Sequence, residues 1–287
     1  MFVVTGATGH LGSQIVDRLL ERAPAHDVGV SVRDVDKAAG LAERGVRVRA
    51  GDFTDPDTLA HAFEGAGAVL VVSAAIRGAG AFVANRAAID AAHAAGAKRI
   101  LYTSHQAASR GSLFAAQLTH AATEEYLVGL GIPFTALRNG FYASTLGYSI
   151  GAALETGQLV APADGPVSWT AHADLAEAAA IALAEDGVLD GITAPLTASE
   201  MLDLAAVAGI LTEITGRAIT RVVVDDEEWK TAAVDRGMPA AAADFTLGIY
   251  RAARRGEFAV TDPTLETLIG RRPTSARSVL EAIVAQR

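Results

Sequence analysis

The stretch Val3-Val-Thr-Gly-Ala-Thr-Gly-His-Leu-Gly12 constrains this chain more than any other. A short β-branched run leads into glycines at 6, 9 and 12, and Leu11, Ile15 and Leu19 then recur at helical spacing, with Val16 and Leu20 beside them. That pattern is a strand, a tight turn and a helix with one apolar face, expected over about residues 10–22. In this context each glycine has a mechanical reason. One permits the turn, one lets the backbone approach a pyrophosphate, and one lets the helix pack close to the strand. The first N–H groups of the helix and its positive dipole end then face the phosphates. No Gly-Lys-Ser/Thr follows, which excludes a Walker loop. The stretch reads as a dinucleotide cradle rather than a turn that merely joins two elements.

The rhythm continues through the first half. Candidate strands fall at 2–5, 28–32, 46–49, 68–73, 99–103 and 134–137, and helical patterns at 11–22, 35–44, 57–64, 81–95 and 116–130. Such alternation demands right-handed βαβ crossovers, giving an α/β fold with a doubly wound parallel sheet covered on both faces. Gly51, Gly96, Gly131 and Pro133 stand where turns or helix ends are needed. From about Tyr142 the pattern changes: 151–166 is rich in Gly, Ala and Pro. We expect an NAD(P)-binding domain over 1–150 and a smaller, mostly helical substrate lobe over 151–287, some of whose segments return to the first domain. Within the lobe, Asp174 is expected to cap a helix running to about Glu185, and Thr197-Ala-Ser-Glu200 reads as a capping box opening a helix over 199–215. Residues 219–224 read as a strand and 226–236 as a helix.

Charge and composition narrow the partners. A net charge of −9 with a pI near 5.3 argues against nucleic-acid or anionic-membrane binding, which needs clustered Lys and Arg. The chain has no cysteine, its seven histidines are scattered without an HExxH pair, and no apolar run reaches membrane-spanning length. No metal is expected. The strand-like first residues lack a basic n-region and a long apolar h-region, so cytoplasmic location is the expectation. Ala-rich helix faces permit a homodimer without requiring one.

Some 20 residues past the glycines, dinucleotide folds place an acid on the ribose 2′-OH of NAD or a cation beside the 2′-phosphate of NADP. Arg33 ends the second strand there, with Lys37 as a second charge and Asp34 as a competing signal. A guanidinium pairs a phosphate bidentately. NADP(H) is therefore expected in preference to NAD(H), which remains an option. Asp52 and Phe53 follow the third strand, where they can meet adenine; equally, Asp52 can cap the next helix and Phe53 can join the core.

The segments Thr5-Gly-Ala-Thr-Gly-His-Leu-Gly12, Val32-Arg-Asp34, Gly51-Asp-Phe53, Tyr102-Thr-Ser104, His120-Ala-Ala-Thr-Glu124 and Leu137-Arg-Asn-Gly-Phe-Tyr142 occur in that order, with Leu268-Ile-Gly-Arg-Arg-Pro-Thr274 near the end. Together they resemble the NmrA-like branch of the atypical short-chain dehydrogenase/reductases, including its bacterial NADPH quinone reductases and triphenylmethane-dye reductases. The resemblance implies a Rossmann domain, a small lobe, and a cleft between them over the nicotinamide. By position it implies that Gly6, Thr8, Gly9, His10, Leu11, Gly12 and Arg33 contact the cofactor and that Ser73 and Ala74 lie near its ribose. Ser104 and His105 would face the nicotinamide, and Asn139 to Tyr142 would form the cleft floor for a flat aromatic or quinone substrate, on which Phe141 and Tyr142 can stack; equally, those two rings can pack between sheet and lobe.

One departure bears on chemistry. Ordinary short-chain reductases use Tyr-x-x-x-Lys, in which Lys lowers the phenol pKa. Here Tyr102 is followed by Gln106 and Tyr126 by Leu130. A ketone needs an acid at its oxygen, whereas a quinone accepts hydride to give a stabilised phenolate. Ser104, His120 and Tyr142 are the candidate catalytic side chains, with His120 donating to the acceptor oxygen; a packed helix histidine is the alternative. The expected activity is NADPH-dependent quinone reduction. The alternatives are a non-catalytic dinucleotide sensor and a ketone or enone reductase.

Overall fold

The fold, obtained as a computed structural model, describes residues 1–76, 78 and 80–286. The first half runs β1 (Phe2–Thr5), α1 (His10–Leu20), β2 (Val28–Val32), α2 (Ala39–Glu43), β3 (Arg47–Ala50), α3 (Pro56–Phe63), β4 (Ala68–Val71), α4 (Gly80–Ala94), β5 (Arg99–His105), α5 (Ala115–Leu130) and β6 (Phe134–Asn139). The second half runs β7 (Phe141–Tyr142), α6 (Leu146–Thr156), β8 (Gln158–Pro162), β9 (Trp169–Thr170), α7 (His172–Ala184), β10 (Gly191–Ile192), α8 (Leu204–Thr215), β11 (Thr220–Val224), α9 (Asp226–Asp235), α10 (Ala240–Arg254), α11 (Thr264–Ile269) and α12 (Ala276–Ala285).

Seven strands form one parallel sheet in the order β10-β6-β5-β4-β1-β2-β3. The chain winds outward one way from β1 through β2 and β3, and the other way through β4, β5 and β6. That reversal opens a crevice at the carboxyl ends of β1 and β4, where sheets of this kind bind ligands. Burial on both faces explains why the central strands read as unbroken apolar runs such as Ala-Val-Leu-Val over 68–71. The apolar stripe Leu11, Ile15 and Leu19 packs α1 against one face together with α7, and Leu59, Phe63, Ile89 and Leu127 cover the other.

A separate core around Phe141, Trp169, Leu211 and Phe258 holds the smaller lobe together. Within the second half, α7 packs on α1 and β10 extends the large sheet, so 172–192 lies with the first layer rather than with this lobe. Gln106, just past β5, ties the two together: its amide donates to the Phe258 carbonyl at 3.0 Å and accepts from Ser168 at 2.9 Å.

Three local expectations are corrected. The helix expected over 35–44 is a 3₁₀ turn, Asp36–Ala38, followed by the short α2; Gly40 lies in its middle, and Asp34 turns back to accept from the Asp36 N–H. Asp174 is not a cap: α7 starts at His172, and the fully buried Asp174 carboxylate receives the Thr274 N–H at 2.6 Å and Arg271 at 2.7 Å. The capping box at 197–200 opens no helix. Thr197 accepts from the Asp262 N–H, Glu200 accepts from the Ala276 N–H at the start of α12, and Asp203 caps α8 through the Ala206 N–H at 2.8 Å.

Candidate active site

The cradle is built from backbone. Gly6 has φ +62°, a conformation glycine adopts without penalty, and its N–H donates to the Ser31 carbonyl of β2 at 3.2 Å. The Gly6 carbonyl accepts the Gly9 N–H at 2.9 Å, which curls the loop under the start of α1. A Cβ on Gly12 would lie 2.2 Å from the Gly6 oxygen, so the helix sits against the turn as only glycine allows. Gly9 is the N-cap and supplies no side-chain cap. The N–H groups of His10, Leu11 and Gly12, with no preceding turn to bond to, are left for an anion. Leu11 itself points into the core, so only its backbone can serve a ligand.

The neighbouring strand ends complete the crevice. After β4, the Ser73 N–H donates to Thr103 and the Ala74 N–H to Asn85, each at 2.8 Å. Nδ1 of His120, on α5, lies 2.8 Å from the Tyr102 hydroxyl, and the His120 ring centroid lies 6.1 Å from that of His105. Ser73, Ala74, Asn85, His120 and Phe245 line a cavity of about 50 Å³. Asn139 lies opposite His105 in the β5–β6 register. It is 1% exposed, and neither of its amide atoms makes a hydrogen bond of normal geometry, although it stands close enough to the Tyr142 phenol to hold that pKa down against the rise caused by burial. A buried amide without partners is costly unless something meets it. The free N–H groups and this amide, all at the carboxyl edge, fit a dinucleotide laid across the crevice.

Burial sets the charge state. The His120 pKa is lowered to about 4 by desolvation, and His172 also to about 4, by desolvation and then by His10. His105 is pushed well below its ordinary range by burial and by His120. All three imidazoles are neutral at pH 7. Their folded pKa lies below the unfolded value of 6.5, so the unfolded chain takes up protons first as pH falls. Stability is therefore expected to be complete above about pH 6.5 and to decline as pH drops toward about 4. Urea unfolding across that range checks this; His120→Gln should flatten the slope, and an unchanged slope in that variant would refute the assignment.

The profile of the NmrA-like family matches residues 1–272. The chain belongs to the NmrA-like family. Quinone oxidoreductase 2 of Escherichia coli (strain K12) is 34% identical over 276 residues, 96% of each chain. The crystal structure of an NADPH-dependent quinone oxidoreductase of Escherichia coli complexed with NADPH superposes with a TM-score of 0.93 at 32% identity, covering 99% of this chain and 100% of that one. A Citrobacter sp. triphenylmethane reductase complexed with NADP(H) gives a TM-score of 0.91 at 34% identity, covering 100% and 99%.

In this NmrA-like chain, several predicted residues are engaged by neighbours within the protein. Ser104 is 2% exposed, and its hydroxyl donates to Glu124 at 2.6 Å. That bond commits its proton to holding α5. Phe141 is enclosed by Phe258, Trp169 and His105 at ring distances of 4.9, 5.3 and 5.4 Å, so it builds the lobe core. Asp52 spends one carboxylate oxygen on the Thr54 N–H and hydroxyl, both at 2.8 Å, and Phe53 leans on the core beside α3. Asp52 does not cap α3, whose N-cap is Asp55, while Phe53 takes the expected core alternative.

Others stand at the crevice. Arg33 is exposed at the end of β2, with Asp52 as its charged neighbour, while Lys37 pairs with Asp34 at 3.4 Å. Thr8 is exposed on the glycine turn. His10 meets His172 at 4.3 Å, and His172 meets Tyr142 at 4.2 Å, a stack joining the cradle to the lobe edge.

Asn85, the Tyr102 hydroxyl and Gln117, which contacts Nδ1 of His105, were not anticipated. A signal for them existed: Tyr102 and Ser104 share one face of β5, and Gln117, His120 and Glu124 share one face of α5. Tyr126 is remote, its hydroxyl bonded to Asp90. A larger groove of about 610 Å³ lies at the far end of α1 and α7, between Arg22, Glu185 and Leu268, and none of the predicted site residues line it. Among the described residues no helix is long and apolar enough to cross a membrane, and no group of three or more His, Asp or Glu could hold a metal.

Proposed function

We propose that this chain is an NADPH-dependent oxidoreductase that reduces a quinone or a similar planar acceptor by direct hydride transfer. The observation that carries the reading is the convergence, on one carboxyl edge, of a glycine cradle at a helix start, a buried Asn139 amide with no hydrogen bond of normal geometry and a neutral His120. When bound, the nicotinamide supplies the hydride. The family relatives that are named quinone and dye reductases point to the same acceptor class.

The chain's own residues orient and stabilise. Backbone N–H groups at 10–12 hold the pyrophosphate and Arg33 takes the 2′-phosphate. Asn139, with Tyr142 beside it, orients the ring at the cleft floor. His120 donates a hydrogen bond to the acceptor oxygen as negative charge develops there. A neutral imidazole suits this role and not that of a strong acid. An unactivated ketone would need a full proton at its alkoxide, whereas the phenolate formed from a quinone needs only the hydrogen bond and takes its proton from water on leaving. With no Tyr-x-x-x-Lys pair to compensate, quinones are the better match.

The test is loss of NADPH absorbance with a panel of simple quinones. Turnover is expected, with NADPH preferred to NADH. Arg33→Ala should raise KM for NADPH roughly tenfold, the worth of one charge-assisted phosphate contact, and leave that for NADH unchanged. Equal use of both coenzymes by the wild type would remove Arg33 from the site. Tight dinucleotide binding with no oxidation by any acceptor would instead make the protein a sensor.

A further inference from the structure

A chain of hydrogen bonds runs from the turn after β4 to His120, and it starts at a group that has no choice of direction. The backbone N–H of Ala74 can only donate, and it does so to Oδ1 of Asn85 at 2.8 Å. The amide is thereby oriented, and its Nδ2 donates to the Tyr102 hydroxyl at 3.1 Å. Having accepted that bond, the phenol has its own proton to give, and the acceptor that stands in hydrogen-bond geometry is Nδ1 of His120 at 2.8 Å, with the Thr123 hydroxyl also beside it. Thr123, beside the phenol on α5, gives its proton to the Thr119 carbonyl at 2.9 Å. Tyr102 and Asn85 are almost completely buried, so bulk water does not supply alternative partners. An imidazole whose Nδ1 accepts carries its ring proton on Nε2.

We propose that Asn85 and Tyr102 are positioning residues that hold His120 in the Nε2–H tautomer and so make it a hydrogen-bond donor toward the cleft. The use of that donor rests on the proposed quinone reduction; the tautomer itself does not. The chain starts at Ala74, beside the expected ribose, so the same turn that meets the dinucleotide sets the polarity of the group that meets the acceptor.

Nitrogen-15 NMR of the full-length protein labelled at histidine tests this, with the His120 signals identified by their loss in His120→Ala. In the wild type, Nδ1 should show the shift of an unprotonated ring nitrogen and Nε2 that of a protonated one. Asn85→Asp keeps the volume and inverts the polarity. The introduced carboxylate accepts from both the Ala74 N–H and the Tyr102 hydroxyl, the phenol oxygen turns acceptor toward His120, and Nδ1 must become protonated. Quinone turnover should then fall at least about tenfold. Tyr102→Phe is the second variant and should leave a mixture of tautomers. A merely space-filling role for Asn85 predicts no tautomer change in the isosteric variant. A protonated Nδ1 in the wild type, or an unprotonated Nδ1 in both variants, would overturn the proposal. Correct tautomers with full turnover in His120→Ala would refute the donor role in quinone reduction and leave the tautomer assignment standing.

Discussion

Gly12→Ala is expected to abolish measurable NADPH binding and to destabilise the fold by about 3 kcal/mol, the upper range for forcing atoms into a packed site. The added Cβ would lie 2.2 Å from the Gly6 oxygen, 2.7 Å from its carbonyl carbon and 3.1 Å from the Ala7 Cα. All three are backbone, so no side chain can swing away. Relief requires α1 to move off the turn, which strains the Gly9 N–H bond to Gly6 and misaims the N–H groups at 10–12. Gly9→Ala serves as the graded comparison: its Cβ would meet the same oxygen at 3.2 Å, a contact that a few tenths of an ångström relieve. Calorimetric titration with NADPH and urea unfolding check both variants. NADPH affinity within threefold of wild type in Gly12→Ala would show that the cradle does not hold the dinucleotide as described.

The second large effect lies behind the site. Arg138 on β6 makes a two-pronged contact with Glu124, Nε to Oε1 at 2.9 Å and Nη2 to Oε2 at 2.7 Å, and Ser104 adds a third bond. Glu124 is 4% exposed and Arg138 27%. The pair anchors α5, the helix that carries Gln117 and His120, to two strands. Arg138→Ala strands a buried carboxylate with one hydroxyl for company, and a loss of about 3–5 kcal/mol is expected. Glu124→Leu combined with Arg138→Met removes both charges and should recover most of that loss. The double variant separates a buried pair from a surface one: if Arg138→Ala alone costs under about 1 kcal/mol, the pair behaves as if solvent-exposed. Ser104→Ala should weaken α5 anchoring modestly, since Arg138 still satisfies both carboxylate oxygens.

The sheet and the cradle were legible because their signals are local. β-branched runs, glycines at a strand-to-helix turn and a 3.6-residue stripe need no distant partner to be read, and β1, β2 and α1 fall where their periodicity puts them. The errors have one physical source, namely polar side chains recruited from far along the chain. Glu200 looks like half of a capping box, yet it serves the Ala276 N–H, 76 residues away. Asp174 has the sequence context of a cap, yet it is buried under Thr274 and Arg271. Ser104 sits at a strand end where ligands bind, but strand alternation turns it, with Tyr102, toward α5. His120 was visible as a candidate; its partners were not, because the bond to Tyr102 joins a helix to a neighbouring strand and Asn85 comes from a third element. For Phe141 the sequence leaves cleft floor and sheet-to-lobe packing both open, because nothing nearby in sequence discloses Phe258, against which it packs.

In the function proposed above, hydride passes directly from NADPH to the acceptor. The most direct measurement of that transfer is the rate of quinone-dependent NADPH oxidation, compared between ordinary NADPH and NADPH carrying deuterium at the transferred position, with both substrates saturating. The account predicts oxidation without added flavin or metal and a slower rate with the deuterated coenzyme. NADPH that binds tightly and is not consumed by any quinone would contradict it.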